Sequence, residues 1–157
     1  MTIEVKDENS MINLGITLGS YLSGGEAIEL VGDVGSGKTT FTKGIAIGLG
    51  VKEIIQSPSF TISRQYSGRD GIILVHYDFY RLKDAGVMTE DIKEVISDDK
   101  TVTVIEWSEA VKDILPDDRL SIGINVLADE SRKLFFSSGG EISSELIGRM
   151  KDDFAVR

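Results

Sequence analysis

A chain of 157 residues that is 41% hydrophobic has enough apolar content for one core, and no apolar run in it approaches the roughly 20 residues that span a membrane. The absence of cysteine excludes disulfides, thiolate metal sites and a cysteine nucleophile, and a single histidine argues against a His-rich zinc centre. The formal charge of −9, from 17 basic and 26 acidic residues without a basic run, argues against independent binding to nucleic acid, which depends on clustered Lys and Arg. Residues 1–8 have neither the basic start nor the apolar stretch of a signal peptide, so the expected location is the cytoplasm.

Residues 2–5 read as a short strand. Asn9 or Ser10 can cap a helix with an apolar stripe of Met11, Leu14, Leu18, Tyr21 and Leu22, ended by Ser23-Gly24-Gly25. A β-rich run over 27–31 leads into Gly32-Asp33-Val34-Gly35-Ser36-Gly37-Lys38-Thr39. Residues 40–49 then place Phe41, Ile45 and Leu49 on one face of a helix closed by Gly50. Residues 60–66 read as a strand and 67–71 as a turn, and 72–75 form a continuous apolar run, the mark of a strand buried on both faces. Residues 88–96 are weakly helical, 101–105 form a β-branched strand, and 108–115 a short helix stopped by Pro116. Strands over 120–126 and 133–136 are joined as a hairpin, and a helix over 142–150 follows. Helices interleaved with strands predict a single α/β domain over 1–157. It has three layers, with a mostly parallel central sheet and antiparallel strands near the C-terminus.

The segment 32–39 is a complete G-x-x-x-x-G-K-[ST] phosphate loop, placed between a strand and a helix as its mechanism requires. Its glycines let successive backbone N–H groups turn toward a phosphate, and the helix N-terminus adds its dipole. Lys38, expected to face solvent, supplies a point charge, and the Thr39 hydroxyl is placed to ligate Mg²⁺. Gly35, Ser36, Gly37, Lys38, Thr39 and Thr40 are the expected phosphate cradle of a P-loop NTPase-like domain.

Such a loop needs a carboxylate at the end of a neighbouring buried strand to hold Mg²⁺, directly or through water. Asp78 and Glu106 both occupy such places. His76 alternates with Asp78 and can share its side of the strand, either positioning a neighbour or simply packing. Arg81 can contact phosphate or pair with a carboxylate, the latter being favoured, and Trp107 can fill core or gate the site. Ser57-Pro58-Ser59-Phe60-Thr61 lies where a segment folds over a γ-phosphate, although such a sequence is more often a plain turn. Neither an Asn/Thr-Lys-x-Asp guanine-reading motif nor an Asp-x-x-Gly switch occurs, so ATP is favoured over GTP. A small-molecule kinase using the same loop is the alternative enzyme class, and a nucleotide-dependent binding module is a third reading.

Together, Gly-Asp-x-Gly-Ser-Gly-Lys-Thr-Thr over 32–40, Ser-Pro-Ser-Phe over 57–60, His-Tyr-Asp-Phe-Tyr-Arg-Leu over 76–82 and Ile-Glu-Trp over 105–107 closely resemble the TsaE (YjeE) family. This is the ATPase subunit of bacterial tRNA threonylcarbamoyladenosine biosynthesis. The resemblance implies that Thr39 and Glu106 hold Mg²⁺, that Asp78 is the Walker-B-type acid, and that Lys38, Asp78 and Glu106 serve catalysis. It also implies that Arg132 lies near the nucleotide and that the Ser57 segment acts as a switch, with Ser59 replacing the family's threonine. The implied role is that of an energy-using partner of a two-subunit transferase complex, a catalytic subunit and its paralogue. That complex attaches threonylcarbamoyl to N6 of adenosine 37 in tRNAs decoding ANN codons, so tRNA would be met only indirectly.

Overall fold

The computed structural model describes residues 1–58 and 60–155. Seven strands among them are β1 (Thr2–Val5), β2 (Ala27–Val31), β3 (Ser63–Ser67), β4 (Ile73–Asp78), β5 (Thr101–Glu106), β6 (Leu120–Val126) and β7 (Arg132–Ser138). They form one sheet in the order β1-β7-β6-β2-β5-β4-β3. The middle strands β6, β2, β5 and β4 run parallel. The expected C-terminal hairpin pairs β6 with β7 antiparallel, and β1 and β3 add antiparallel edges on either side.

Both faces of this sheet are covered, which is why β5 is buried along its whole length. Leu74, Val102 and Val104 pack against α1 (Glu8–Tyr21) and α2 (Lys38–Gly48) through Leu14, Leu18, Phe41 and Ile45. Residues Leu146, Ile147 and Met150 of α4 (Glu141–Ala155) join that layer. On the other face Val75, Tyr77 and Ile105 meet Ile92 of α3 (Thr89–Ser97), together with Val111 and Leu115. Three layers result, as the alternation of elements predicts.

Three local expectations shift. Asp7, rather than Asn9 or Ser10, caps α1, its Oδ1 accepting the Ser10 N–H at 2.8 Å. The strand expected over 60–66 begins only at Ser63, because Ile62 sits at φ 64° and Phe60 points out to solvent at 88% exposure. The short helix after Trp107 is a 3₁₀ helix, Ser108–Ile114, rather than an α-helix.

Four glycines set the geometry of α1 against α2. A Cβ on Gly19 would lie 2.3 Å from the Ile45 carbonyl oxygen, and one on Gly44 would lie 2.3 Å from that of Ile12. Cβ atoms on Gly15 and Gly48 would lie 2.6 Å and 2.4 Å from the opposite backbone. Since Gly15 meets Phe41 and Gly44 while Gly19 meets Ile45 and Gly48, the helices run parallel and their N-termini lie side by side. At the opposite ends, the Arg69 guanidinium donates to the carbonyls of Gly19, Ser20 and Leu22 and to that of Gly48. One cation thus satisfies the terminal carbonyls of both helices, where their dipoles are negative.

Glu29 of β2 is a buried carboxylate on the other side of the phosphate-loop strand. It accepts from Arg119 Nε at 2.8 Å, from Ser121 Oγ at 2.7 Å and from the Ser108 hydroxyl. Burial alone would raise its pKa, but the bonds from Ser108, Arg119 and Ser121 outweigh it and hold the carboxyl below its ordinary value of 4.5. A depressed carboxyl stabilises the fold above its unfolded pKa, and that contribution is lost as pH falls through the folded value. Glu29→Gln should therefore lower stability at neutral pH and flatten its decline in acid. Urea midpoints across the acid range check this, and an unchanged slope would refute it.

Candidate functional site

The phosphate loop turns where the sequence places its glycines. Gly35 has φ 78° and Gly37, the N-cap of α2, has φ 105°, both in the left-handed region that glycine enters without strain. Lys38 departs from expectation. Instead of facing solvent it is 5% exposed, and its Nζ donates to the carbonyls of Gly32 at 2.7 Å and Asp33 at 2.8 Å. The Trp107 ring lies 4.6 Å from the same ammonium. Burial lowers the Lys38 pKa, and the charges of Glu106, Asp78 and Asp33 work in the opposite direction.

Asp78 and Glu106 end β4 and β5 and are register partners across that parallel pair. Both line a cavity of about 470 Å³ shared with Gly35, Gly37, Lys38, Thr39, Thr40, Trp107 and Arg132. Glu106 Oε1 accepts from Thr39 Oγ1 at 3.4 Å and lies 3.0 Å from His76 Nε2. The carboxylate of Asp78 accepts from the Tyr80 N–H at 3.0 Å and from Ser57 Oγ at 3.3 Å. Among the described residues no group of three or more His, Cys, Asp or Glu is placed to hold a metal. Two carboxylates and a hydroxyl remain as the candidate cation donors, a hard-oxygen set of the kind Mg²⁺ takes when phosphate and water supply the rest.

The structure thus brings together all the expected site residues except Ser36. That side chain is 1% exposed, its hydroxyl has no hydrogen-bond partner among the described residues and its N–H is bonded to Asp33 O, so it lies beneath the loop rather than in the cavity. Arg81 lies over the Phe60 ring at 5.7 Å and, among the described residues, forms no ion pair with a carboxylate. Of the segment 57–61, Ser57 touches Asp78 and Thr61 bonds to Ser63 O, while Ser59 lies outside the described residues.

Sequence reasoning missed Asp7, Glu8 and Met11, which line the same cavity from the start of α1, and Tyr80, whose ring meets that of Trp107 at 4.9 Å. The matching Gly-x-x-x-Gly spacing of residues 15 and 19 and of 44 and 48 was the available signal for α1. With Gly15 against Gly44 and Gly19 against Gly48, the two helices are parallel and in a register that presents both N-termini at one place.

Residues 5–134 match the family model described as "Threonylcarbamoyl adenosine biosynthesis protein TsaE". The chain belongs to the TsaE family. A tRNA threonylcarbamoyladenosine biosynthesis protein TsaE of Bacillus subtilis (strain 168) is 38% identical over 123 residues, covering 77% of this chain and 75% of that protein. Its counterpart in Streptomyces coelicolor is 39% identical over 136 residues, covering 83% and 92%. The crystal structure of Bacillus subtilus YdiB superposes with a TM-score of 0.81 at 28% identity, over 98% of this chain and 95% of that one. The cavity residues described above, from Asp7 to Arg132, fall inside the matched span, and α4 lies beyond it.

Proposed function

We propose that this TsaE-family chain is a Mg²⁺-dependent ATPase that serves formation of threonylcarbamoyladenosine in tRNA by remodelling a two-subunit transferase complex. The observation that carries the reading is the convergence of Thr39, Asp78 and Glu106 at the paired N-termini of α1 and α2. The N-terminus of α2, which no side chain caps, favours an anion, and paired strand-end carboxylates beside a hydroxyl favour the hard cation that accompanies it.

Bound Mg²⁺ would supply positive charge that offsets the negative charge of the transferring phosphoryl group. The residues do the rest. The N–H groups of the curled loop cradle the phosphates, and Lys38 exchanges its loop carbonyls for phosphate oxygens. Thr39 and Glu106 hold the cation. Asp78, which Ser57 contacts, accepts a hydrogen bond from the attacking water, and Arg132, which lines the cavity, contacts the nucleotide. Trp107, with Tyr80 against its ring, covers Lys38 and limits water access. With a charge of −9, the chain leaves tRNA binding to its partners. An acidic exterior facing a basic patch would make docking weaken as salt rises.

The test compares Glu106→Gln with Asp78→Asn by calorimetric titration of ATP and ADP with and without Mg²⁺, beside partner-stimulated hydrolysis. Glu106→Gln should lose more of the metal-dependent affinity, and Asp78→Asn more of the turnover. The opposite ranking would exchange their roles, and wild-type binding indifferent to Mg²⁺ would end the reading.

A further inference from the structure

His76 lies immediately beneath the cation donors, in a place the reaction above does not use. It is 0% exposed and absent from the cavity wall, so it touches neither nucleotide nor metal. Its Nε2 stands 3.0 Å from Glu106 Oε1, and its Nδ1 is buried without a partner among the described residues. A carboxylate only accepts, so the proton must sit on Nε2. The other tautomer would set two lone pairs face to face and leave an N–H orphaned in the core, where an unmade hydrogen bond is expensive.

Register explains the reach. In the parallel β4–β5 pair, His76 is opposite Val104 and Asp78 is opposite Glu106, so His76, Asp78, Val104 and Glu106 share one face of the sheet. One strand therefore delivers Asp78 to the cavity and, two residues earlier, a donor to the neighbouring carboxylate. The two acids are held differently. Asp78 takes its bonds from the loop residues Tyr80 and Ser57. Glu106, 3% exposed on a wholly buried strand, takes its one short bond from the core. Its other donor is the 3.4 Å contact from Thr39, whose hydroxyl is itself a candidate cation donor.

We propose that His76 is the positioning residue of the cation site: by donating from Nε2 to Oε1 it fixes the Glu106 carboxylate before any nucleotide arrives. It thereby sets how strongly Glu106 and Thr39 together take Mg²⁺. The inference rests on the Mg²⁺–nucleotide reading. Outer partners of metal-binding carboxylates act in this way, and their loss costs about 10- to 100-fold in metal affinity.

The experiment titrates ADP into the full chain in EDTA and in saturating Mg²⁺, following heat and the emission of Trp107, the single tryptophan. Three variants bracket the donor. The amide nitrogen of His76→Gln falls where Nε2 stands, that of His76→Asn falls where Nδ1 stands, and His76→Met fills the space without a donor. His76→Asn and His76→Met should lose about 10- to 100-fold of the Mg²⁺-dependent gain in affinity with metal-free ADP binding unchanged. His76→Gln should keep most of that gain. If His76→Met fails to fold, the Gln–Asn comparison decides. Full metal dependence in the Asn and Met variants, equal losses with and without metal, or a Gln variant no better than Asn would each overturn the inference alone. Wild-type binding indifferent to Mg²⁺ would remove the nucleotide reading and this inference with it.

Discussion

Replacing Lys38 with methionine should lower the kcat of partner-stimulated ATP hydrolysis by about 10²- to 10³-fold, the cost of losing one preorganised charge at a developing anion. Sequence alone suggests a solvent-facing lysine whose loss leaves the fold untouched. The structure says otherwise, because the ammonium is buried and bonded to the carbonyls of Gly32 and Asp33. Removing it frees those carbonyls and lets the loop relax, but it also relieves the burial that depresses the lysine's pKa. These effects oppose each other, so the change in stability should be small beside the loss of rate. Methionine is the sharper probe than alanine, since it keeps the stem that packs beneath Trp107. Steady-state rates and urea midpoints on the same preparation separate the two effects. Unimpaired hydrolysis would take the phosphate loop out of the mechanism. A collapse of the fold would show that the lysine's carbonyl bonds outweigh its burial.

What the sequence conveys about the site is local. The phosphate loop, the strand before it and the apolar face of α2 lie within one short stretch, and Asp78 and Glu106 are each marked by the apolar run that ends on them. Their pairing as register neighbours follows once the two strands are adjacent. Features that depend on distant partners were not legible in this way. Lys38 is covered in part by Trp107, which follows another strand and at φ 57° sets its ring 4.6 Å from the ammonium. Arg69 reads as a turn residue, yet it joins two helix ends. The start of β3 depended on the backbone of Ile62, a β-branched residue at positive φ that no propensity argument would choose. Asp7, Glu8 and Met11 entered the site through the packing of α1, which the apolar stripe places on the sheet without revealing its direction relative to α2.

That packing yields the second large effect. Gly44→Ala and Gly19→Ala should each destabilise the protein by about 3 kcal/mol, the upper end of the usual range for overpacking. Two opposed terms decide the sign. Exchanging glycine for alanine inside a helix is worth about 1 kcal/mol in favour of folding. Against it, the new methyl carbon would meet a carbonyl oxygen of the other helix at 2.3 Å, and that obstacle is backbone, which cannot rotate away. The helices must separate, which costs contacts along the whole α1–α2 face and pulls the N-terminus of α1 from the cavity it shares with Lys38 and Thr39. Nucleotide affinity should therefore fall together with stability. Gly148→Ala in α4 is the internal control, since a Cβ there meets nothing within 4 Å. With packing silent, propensity alone acts, and this variant should gain about 0.5–1 kcal/mol. Urea unfolding of the three variants reads both signs at once. If Gly44→Ala and Gly19→Ala moved in the same direction as Gly148→Ala, the close parallel contact between α1 and α2 would be wrong, and with it the account of why the start of α1 lines the phosphate-loop cavity.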